Sequence, residues 1–413
     1  MKIGKFAEKF GVSRDTVRFY IRSGLLIPDE SGAQLEFGER ECGAMEAIIR
    51  MRRQKFSLRQ IKRYLDIRRV STMAEAASLD EILEILNGKH EELQGEIRDL
   101  EEICREIETD VASLYHTGTA EKTGVPLMAL GLLACPHCGG MLDLENASLG
   151  SRYVYSGDLS CHCGYHARIE DGIIRTGNIY TGGYDSPDLK RGLYRNVCDS
   201  FVTYFQKCMD LTRDRIMRHD LAGKVVLEAH INGYFFLYNN LSYMEKDCLY
   251  VIVDKYPEML EMYKSLIDRI NPGLRIIYLA DNSMNWPLRK KSVDLMVSFM
   301  GDNEHSLYYT SPYIDDVKPF LKEEAEVIGA VIGFPLRTES LRNVARKYPE
   351  GGGAAFAWDV MPEYYRASGY TYDRELIGTM TETCSQYTFE CHKRGEELRI
   401  GCFTAKPMIN RKP

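Results

Sequence analysis

The sequence lacks long apolar runs, and none approaches the roughly 18 consecutive apolar residues that a membrane-spanning helix needs. It also lacks any low-complexity tract, and Met1-Lys2-Ile3-Gly4 does not begin like a secretory signal peptide. These absences argue against membrane, fibrous and disordered proteins. We therefore expect a globular protein located in the cytoplasm.

A chain of 413 residues is too long for one ordinary hydrophobic core, which predicts several domains. Charge is distributed unevenly along this chain. Residues 1–70 carry 16 Lys and Arg against 9 Asp and Glu, whereas the remainder carries 37 against 51. A basic segment ahead of an acidic body predicts that nucleic acid is bound at the N-terminal end only.

Two short helices joined by a tight turn are predicted at the N-terminus. Residues 3–10 form an amphipathic pattern that ends at Gly11, and Ser13 is placed to cap a second helix that ends at Gly24. This is a helix-turn-helix pattern, whose second helix enters the major groove. The polar residues that we expect to contact DNA are Arg14, Thr16, Arg18 and Tyr20 on that helix, with Arg52, Arg53 and Lys55 further along. A solvated basic face is the alternative for the last three.

Two stretches, "KIGKFAEKFGVSRDTVRFYIRSGLLIP" and "AIIRMRRQKFSLRQIKRYLDI" (47–67), resemble the MerR family of transcription regulators. The resemblance implies a winged helix-turn-helix over residues 1–70 that binds promoter DNA as a dimer and twists it for RNA polymerase. The wing departs from the family pattern, because Gly32-Ala33-Gln34-Leu35-Glu36-Phe37 lacks the usual arginine. Glu36 would repel phosphate, so the contribution of the wing to affinity is in doubt.

A heptad repeat follows over residues 71–118. Its seam positions are Leu86, His90, Leu93, Ile97, Leu100, Cys104, Ile107, Val111 and Leu114. Residues 71–116 carry 13 acidic and 3 basic residues, so a parallel copy would be repelled. An antiparallel dimerisation coiled coil, which the MerR resemblance also implies, is expected. A helix packed on its own body is the alternative.

Four of the twelve cysteines form two close pairs within residues 119–178. Cys135 and Cys138 are spaced C-x-x-C, Cys161 and Cys163 follow, and both pairs precede glycine. Four thiolates suit a structural zinc ion. The second pair is one residue short, so His162 or His166 could replace a thiolate, and redox chemistry is the rival interpretation. The segment resembles the zinc ribbon found before some methyltransferase domains.

Residues 179–413 alternate strand and helix patterns. Strands are predicted at 224–230, 248–256, 274–281, 293–299 and 325–334, which indicates a doubly wound, Rossmann-like α/β domain with its ligand site at the carboxyl ends of the strands. Residues 185–410 resemble a class I S-adenosylmethionine-dependent methyltransferase. The resemblance implies that Asp254 contacts a ribose and Asp281 an adenine, with Trp286 nearby.

The first loop of this domain lacks the glycines of the methyltransferase pattern. Aligned on Glu228, the glycine positions hold His230, Asn232 and Tyr234, and Gly233 is out of step. Such side chains would occupy cofactor space, and residues other than glycine resist positive φ. The predicted ligand-binding residues are Glu228, His230, Asn232, Tyr234, Asp254, Asp281 and Trp286. Ten aromatic residues near the mouth suggest an apolar ligand, aromatic or cationic.

No catalytic residues are predicted, since His230 and His305 have no Ser or Cys partner at motif spacing. We interpret the chain as a dimeric, MerR-type transcription regulator whose degenerate methyltransferase-like domain senses a small molecule. The alternative is an S-adenosylmethionine-dependent nucleic-acid methyltransferase positioned by the basic head and the zinc ribbon. A DNA-bound repressor with an inert body is the third hypothesis.

Overall fold

The computed structural model describes residues 1–31, 34–70, 76–114, 122–190, 198–270, 273–383 and 391–408. Its contacts divide the chain into two units, Met1–Tyr115 and His116–Pro413. Each unit has its own apolar core. Across these ranges, no helix has both the length and the apolar character that crossing a membrane requires.

The first unit is a winged helix-turn-helix followed by a long helix. Its elements are α1 (Ile3–Lys9), α2 (Arg14–Arg22), β1 (Asp29–Ser31), β2 (Gln34–Glu36), α3 (Glu39–Arg53), α4 (Leu58–Val70) and α5 (Ala76–Leu114). The two strands pair antiparallel, with Asp29 opposite Glu36. Residues 32–33, at the tip of the predicted wing, lie outside the described residues. The predicted winged helix-turn-helix fold is confirmed.

Local sequence signals set the two ends of α2, the second helix of the helix-turn-helix. The Ser13 hydroxyl accepts a hydrogen bond of 3.0 Å from the backbone nitrogen of Thr16, which caps the first turn. Gly11 and Gly24 adopt φ of 63° and 71° where the two helices end, in a region that glycine enters without steric cost. Val17 is fully buried, so one face of α2 is held against the core of the unit.

Helix α5 starts on the core of the first unit and continues as an apolar stripe. Ile82 is buried there, and the ion pairs Arg63–Glu81 and Lys55–Glu96 link α5 to helix α4 and to the turn before it. Further seam side chains are exposed by 38–59%: Leu86, Ile97, Leu100, Ile107 and Val111. The side chain of Leu114 lies outside the described residues. A stripe of this kind fits the heptad pattern, and dimerisation remains a prediction.

The second unit is built on one twelve-stranded sheet. Its strands are β3 (Val125–Pro126), β4 (Asp143–Leu149), β5 (Tyr153–Ser160), β6 (His166–Glu170), β7 (Ile173–Arg175), β8 (Val225–Ala229), β9 (Leu249–Asp254), β10 (Arg275–Ala280), β11 (Val293–Phe299), β12 (Leu321–Gly333), β13 (Tyr370–Met380) and β14 (Leu398–Pro407). Its helices are α6 (Asp199–Ile216), α7 (Pro257–Ile270), α8 (Gly301–Tyr308), α9 (Tyr313–Val317), α10 (Glu339–Lys347) and α11 (Met361–Ala367).

The central strands form a doubly wound parallel sheet. Their order is β10-β9-β8-β11-β12, all parallel, and β14 and β13 follow with β14 antiparallel to both neighbours. The chain order reverses between β8 and β11, which makes their carboxyl ends the expected ligand site. The five predicted strands correspond to β8–β12, and the α/β fold class is confirmed. Strands β13 and β14 were not predicted from the sequence.

Apolar cores lie on both faces of this sheet, as central parallel strands require. One core includes Phe201 of α6 and Met259 of α7. The other includes Ile314 of α9, Tyr365 of α11 and Trp286. Residues on the central strands alternate between the two cores, so both faces of the strands that carry the candidate ligand site are packed.

The strands of the cysteine-rich segment continue the same sheet. β7 pairs in parallel with β10, with Ile174 opposite Leu279, and β6, β5 and β3 extend the sheet outward. Leu133 also forms a bridge with Leu288. The segment is therefore packed into the second unit. The finer division into domains at 119–178 and 179–413 remains a prediction.

Candidate functional sites

The recognition helix presents two arginines to solvent on one face. Arg14 and Arg18 are exposed and lie four positions apart. Arg18 forms an exposed ion pair of 3.0 Å with Asp15, a contact that phosphate oxygens could replace. The Thr16 hydroxyl lies 2.8 Å from that of Ser13 in the helix cap. Tyr20 is half-buried against the core. The two arginines are therefore the most available of the four predicted DNA contacts on α2.

The basic cluster after the wing is partly engaged inside the first unit. Lys55 contacts Glu96 of α5 at 2.5 Å, and Arg52 donates to the Phe56 carbonyl at 3.4 Å. Arg53 is exposed. The described part of the wing carries the exposed acid Glu36.

The structure brings the four predicted thiolates together. The Sγ atoms of Cys135, Cys138, Cys161 and Cys163 all lie within 4.8 Å of one another, with 3.4 Å between those of Cys135 and Cys163. Zinc–sulfur bonds of about 2.3 Å in a tetrahedron place the sulfur atoms about 3.8 Å apart. The four cysteines could therefore hold a metal ion such as zinc.

Two backbone turns position these sulfurs. Gly139 donates to the Cys135 carbonyl and Gly164 to that of Cys161, each at 2.8 Å. Both glycines adopt positive φ, 74° and 91°, so the chain can turn tightly after each pair. His162 places Nδ1 3.6 Å from the Cys161 Sγ, outside the cluster of four sulfurs. A four-thiolate site leaves no open position, which suits structural zinc.

The loop after β8 keeps a positive backbone angle without glycine. Of the three residues at the glycine positions of the methyltransferase pattern, His230 has a positive φ of 61°, whereas Asn232 and Tyr234 have no positive φ. A left-handed backbone costs a residue other than glycine about 1–2 kcal/mol. The His230 ring is buried among His305, Tyr309 and Tyr313, with ring centroids 5.0–6.0 Å away. Burial lowers the pKa of His230 well below its usual value, so the ring is neutral.

The three acids that mark the expected cofactor site are engaged by the chain itself. Glu228 accepts hydrogen bonds from the backbone nitrogens of Phe236 and Leu237, at 2.7 and 2.9 Å. Burial raises the pKa of Glu228 to about 8, although these two donors oppose the shift. The loop after β8 is thus folded around the Glu228 carboxyl group.

Asp254 and Asp281 have partners of the same kind. Asp254 accepts from the backbone nitrogens of Asn232 at 2.8 Å and Tyr256 at 2.9 Å, and burial raises its pKa to about 6. The partners of Asp281 are Thr176, Asn178 and both polar groups of Ser283. A ribose or adenine would have to share these oxygens.

Tyr234 and Trp286 both lie in apolar core. Tyr234 packs on Phe205 and Phe299, with ring centroids 4.8 and 5.1 Å away. Trp286 is fully buried and stacks on Phe320 at 5.0 Å. Neither environment resembles a solvent-facing pocket wall, and their assignment as ligand contacts stays a prediction.

A segment that precedes α6 crosses the carboxyl ends of the strands. Its Asp188 nitrogen donates to the Asn232 Oδ1 at 3.0 Å, its Asp185 contacts Lys255 at 3.0 Å, and Tyr180 donates to Glu350 at 2.6 Å. Lys255 was not among the predicted ligand-binding residues, although it directly follows Asp254. The involvement of Asp185 carries no signal in the sequence, because it depends on tertiary packing.

The family model described as "MerR HTH family regulatory protein" matches residues 1–67. A mercuric resistance operon regulatory protein of Pseudomonas fluorescens is 36% identical over 83 residues, which is 20% of this chain and 58% of that protein. The chain thus spans little more than half the length of this curated relative.

Solved structures resemble each unit. A MerR family transcriptional regulator from Listeria monocytogenes, described as putative, covers 27% of this chain and 83% of its own at 26% identity and a TM-score of 0.23. Phosphoethanolamine N-methyltransferase 2 from Haemonchus contortus covers 55% of this chain and 60% of its own at 12% identity and a TM-score of 0.38. Both TM-scores are low, so the activity of neither protein is transferred to this chain.

The helix order, the wing strands and the match over residues 1–67 agree with one another. Residues 1–67 of this chain form a helix-turn-helix domain that matches the MerR HTH family model and is similar in sequence to a mercuric resistance operon regulatory protein.

Proposed function

We propose that this chain is a dimeric transcription regulator that distorts promoter DNA in response to a small molecule bound by its methyltransferase-like unit. The observation that carries the proposal is the combination of a MerR-type domain with an α/β unit whose cofactor-site acids are bound by the chain's own backbone and side chains. RNA polymerase would be the partner at the promoter.

The exposed seam of α5 supports the dimer. Ile97, Leu100 and Ile107 are each more than half exposed along one stripe, and burying such a stripe against a second copy removes apolar surface from water. Two heads held by one coiled coil would read a two-fold operator. The acidic flanks of the helix favour an antiparallel pairing.

The engaged acids support sensing over catalysis. Methyl transfer needs a cofactor whose ribose and adenine reach Asp254 and Asp281, and both carboxylates already accept hydrogen bonds from the protein. A ligand that rearranged these contacts would bind one conformation better than another. Such differential affinity is what shifts a two-state equilibrium.

The test is promoter bending and transcription by the full chain in vitro. DNA carrying fluorophores at both ends of a selected operator reports bending, with and without a panel of aromatic and cationic compounds. We expect at least one compound to change both bending and transcript yield. A chain that binds operator DNA with the same bend and transcript yield under every compound would contradict the sensing role.

An S-adenosylmethionine-dependent nucleic-acid methyltransferase is the second candidate function. The parallel strand order, with acids at the ends of β8 and β9, favours it. Calorimetry with S-adenosylmethionine separates the two: micromolar binding with methyl transfer to DNA or RNA would establish the enzyme.

A further inference from the structure

The ammonium group of Lys255 is enclosed by aromatic rings at the carboxyl end of β9. Lys255 is 2% exposed. Its Nζ lies 3.0 Å from the ring centroid of Tyr308, 5.0 Å from that of Tyr180 and 5.2 Å from that of Tyr256. The ring of Tyr180 stands at 67° to that of Tyr308 and at 82° to that of Tyr256. Three tyrosines thus form an aromatic cage around one cation.

Two carboxylates complete this cage, which we define as Tyr180, Asp185, Tyr256, Glu304 and Tyr308. Lys255 forms ion pairs of 3.0 Å with Asp185 and 3.2 Å with Glu304, whose side chains are only 6% and 13% exposed. Gly233 lies beside Glu304, and a Cβ atom there would come within 3.2 Å of the Glu304 carboxylate. The absence of a side chain at Gly233 therefore leaves room for the Glu304 carboxylate.

Acidic side chains outnumber basic side chains around the cage. Asp254 interacts with the same lysine and the same two acids, so three carboxylates face one ammonium group. His230 and His305 add no positive charge, because burial lowers the pKa of both rings. Burial also raises the pKa of Glu304 to about 7. A site with this excess of acidic groups favours a cationic ligand over a neutral or anionic one.

An unpartnered polar atom lies next to the cage. His230 is 6% exposed, and its Nε2 has no hydrogen-bond partner among the residues that the structure describes. Its ring interacts electrostatically with Lys255. A buried polar atom without a partner costs free energy, and a ligand with a polar group would relieve that cost.

We propose that this cage binds the onium group of an organic cation, and that Lys255 fills the cage as a built-in competitor until the ligand replaces its ammonium group. The inference rests on the proposed ligand-sensing function and names its ligand class. A ligand cation replaces one positive charge by another, so the buried carboxylates stay compensated, whereas an anion would leave them unpaired.

The experiment is calorimetry on the full chain without DNA, with choline and its uncharged isostere 3,3-dimethylbutan-1-ol. We expect choline to bind the Lys255→Met variant at least tenfold more tightly than the wild type, because the internal competitor is gone. The uncharged alcohol should bind neither protein. Equal affinity of the two proteins for every onium compound tested, or binding of the alcohol to the variant as tightly as choline, overturns the proposal.

S-adenosylmethionine and S-adenosylhomocysteine form a second arm that distinguishes the source of the onium group. If Lys255→Met binds S-adenosylmethionine more tightly than the wild type does but shows no such gain in choline affinity, the cage is assigned to a sulfonium ligand. A gain for choline assigns it to a quaternary ammonium ligand. No gain for either compound overturns the proposal.

Two further variants control for folding and charge. Lys246→Met removes an exposed lysine and should leave choline binding at the wild-type level. Lys255→Met combined with Asp185→Asn restores the local charge balance if the single variant does not fold, and should still bind choline more tightly than the wild type. Adding both Asp185→Asn and Glu304→Gln to Lys255→Met should abolish the gain. A gain that persists in this last variant contradicts the cage.

The binding of an onium ligand by the cage and the ligand-sensing function can be contradicted independently of each other. If choline binding follows these expectations while no compound changes promoter bending, the cage stands and the sensing role is lost. If some other ligand changes bending while choline and S-adenosylmethionine show no gain with Lys255→Met, the sensing role stands and the cage is lost.

Discussion

The Asp254 carboxylate at the end of β9 accepts a hydrogen bond of 2.8 Å from the backbone nitrogen of Asn232, in the loop after β8. Its other oxygen accepts from the backbone nitrogen of Tyr256 at 2.9 Å. The acid that the sequence assigns to a cofactor ribose thus connects two loops at the carboxyl edge of the sheet. Any ligand that claims Asp254 must compete with these two donors.

Asp254→Asn should destabilise the protein at pH 7. The amide offers one acceptor where the carboxylate offers two, so one buried N–H group loses its partner, at a cost of about 1–3 kcal/mol. Chemical denaturation measures the loss. Asp359→Asn, at an exposed site, is the matched control and should unfold like the wild type. Unchanged stability of Asp254→Asn would show that the loop does not depend on this carboxylate.

Glu228→Gln should change how stability depends on pH. Burial raises the folded-state pKa of Glu228 to about 8, above the value of about 4.3 in an unfolded chain. The folded protein therefore binds this proton more tightly, and the stabilisation is full below about pH 4 and is lost as pH rises through about 8.

Relative to Glu228→Gln, the wild type should lose up to about 1.4 kcal/mol of unfolding free energy per pH unit in that window. Urea titrations from pH 5 to 9 give the difference curve. Glu363→Gln, at an exposed position on α11, should follow the wild type. A flat difference between wild type and Glu228→Gln would mean that the carboxyl is not protonated in the folded state.

Cys138→Ser should release the metal. Purified protein is expected to hold one zinc per chain, and loss of one of four thiolates should lower this well below half while reducing the unfolding temperature of the second unit. Elemental analysis and calorimetry measure both effects. Cys198→Ser, outside the cluster, and His162→Ala should keep the zinc. Zinc loss from His162→Ala would assign a ligand to that imidazole instead.

Arg14→Ala and Arg18→Ala should each weaken operator binding by about 1–3 kcal/mol.

Glu36→Arg should strengthen operator binding, because it supplies a phosphate contact where the wing now presents an acid. It should also steepen the salt dependence of binding by about one counterion. Fluorescence anisotropy across a salt series gives both quantities. Arg168→Ala, in the second unit, serves as control. A wing variant with unchanged affinity and salt slope would show that the wing does not reach the backbone of DNA.

Ile97→Asp should dissociate the dimer. Ile97 is 54% exposed on the α5 stripe, and a charge buried in a coiled-coil seam is costly. We expect the dimer dissociation constant to rise at least about 100-fold, or about 2.7 kcal/mol. Sedimentation equilibrium measures it. Glu102→Ala, on the other side of the helix, should leave the constant unchanged, and a wild type that sediments as a monomer would contradict the seam.

The sequence alone was informative wherever a local pattern has a single structural solution. Ser13, Gly11 and Gly24 mark helix ends through capping and positive φ, and the spacing of the two cysteine pairs predicts the cluster of four thiolates that could hold a metal ion. Strands β8 to β12 were predictable because buried parallel strands are continuously apolar. These features require no knowledge of distant contacts.

Long-range packing decided the rest. The pairing of β7 with β10 joins the cysteine-rich strands to the α/β sheet, and hydrogen bonding between strands leaves no sequence signal of partner choice. Lys255 joins Asp185, which is 70 positions earlier, with Glu304, 49 positions later. A buried lysine is tolerated only where tertiary structure supplies partners of opposite charge, so the cage is visible only once the fold is known.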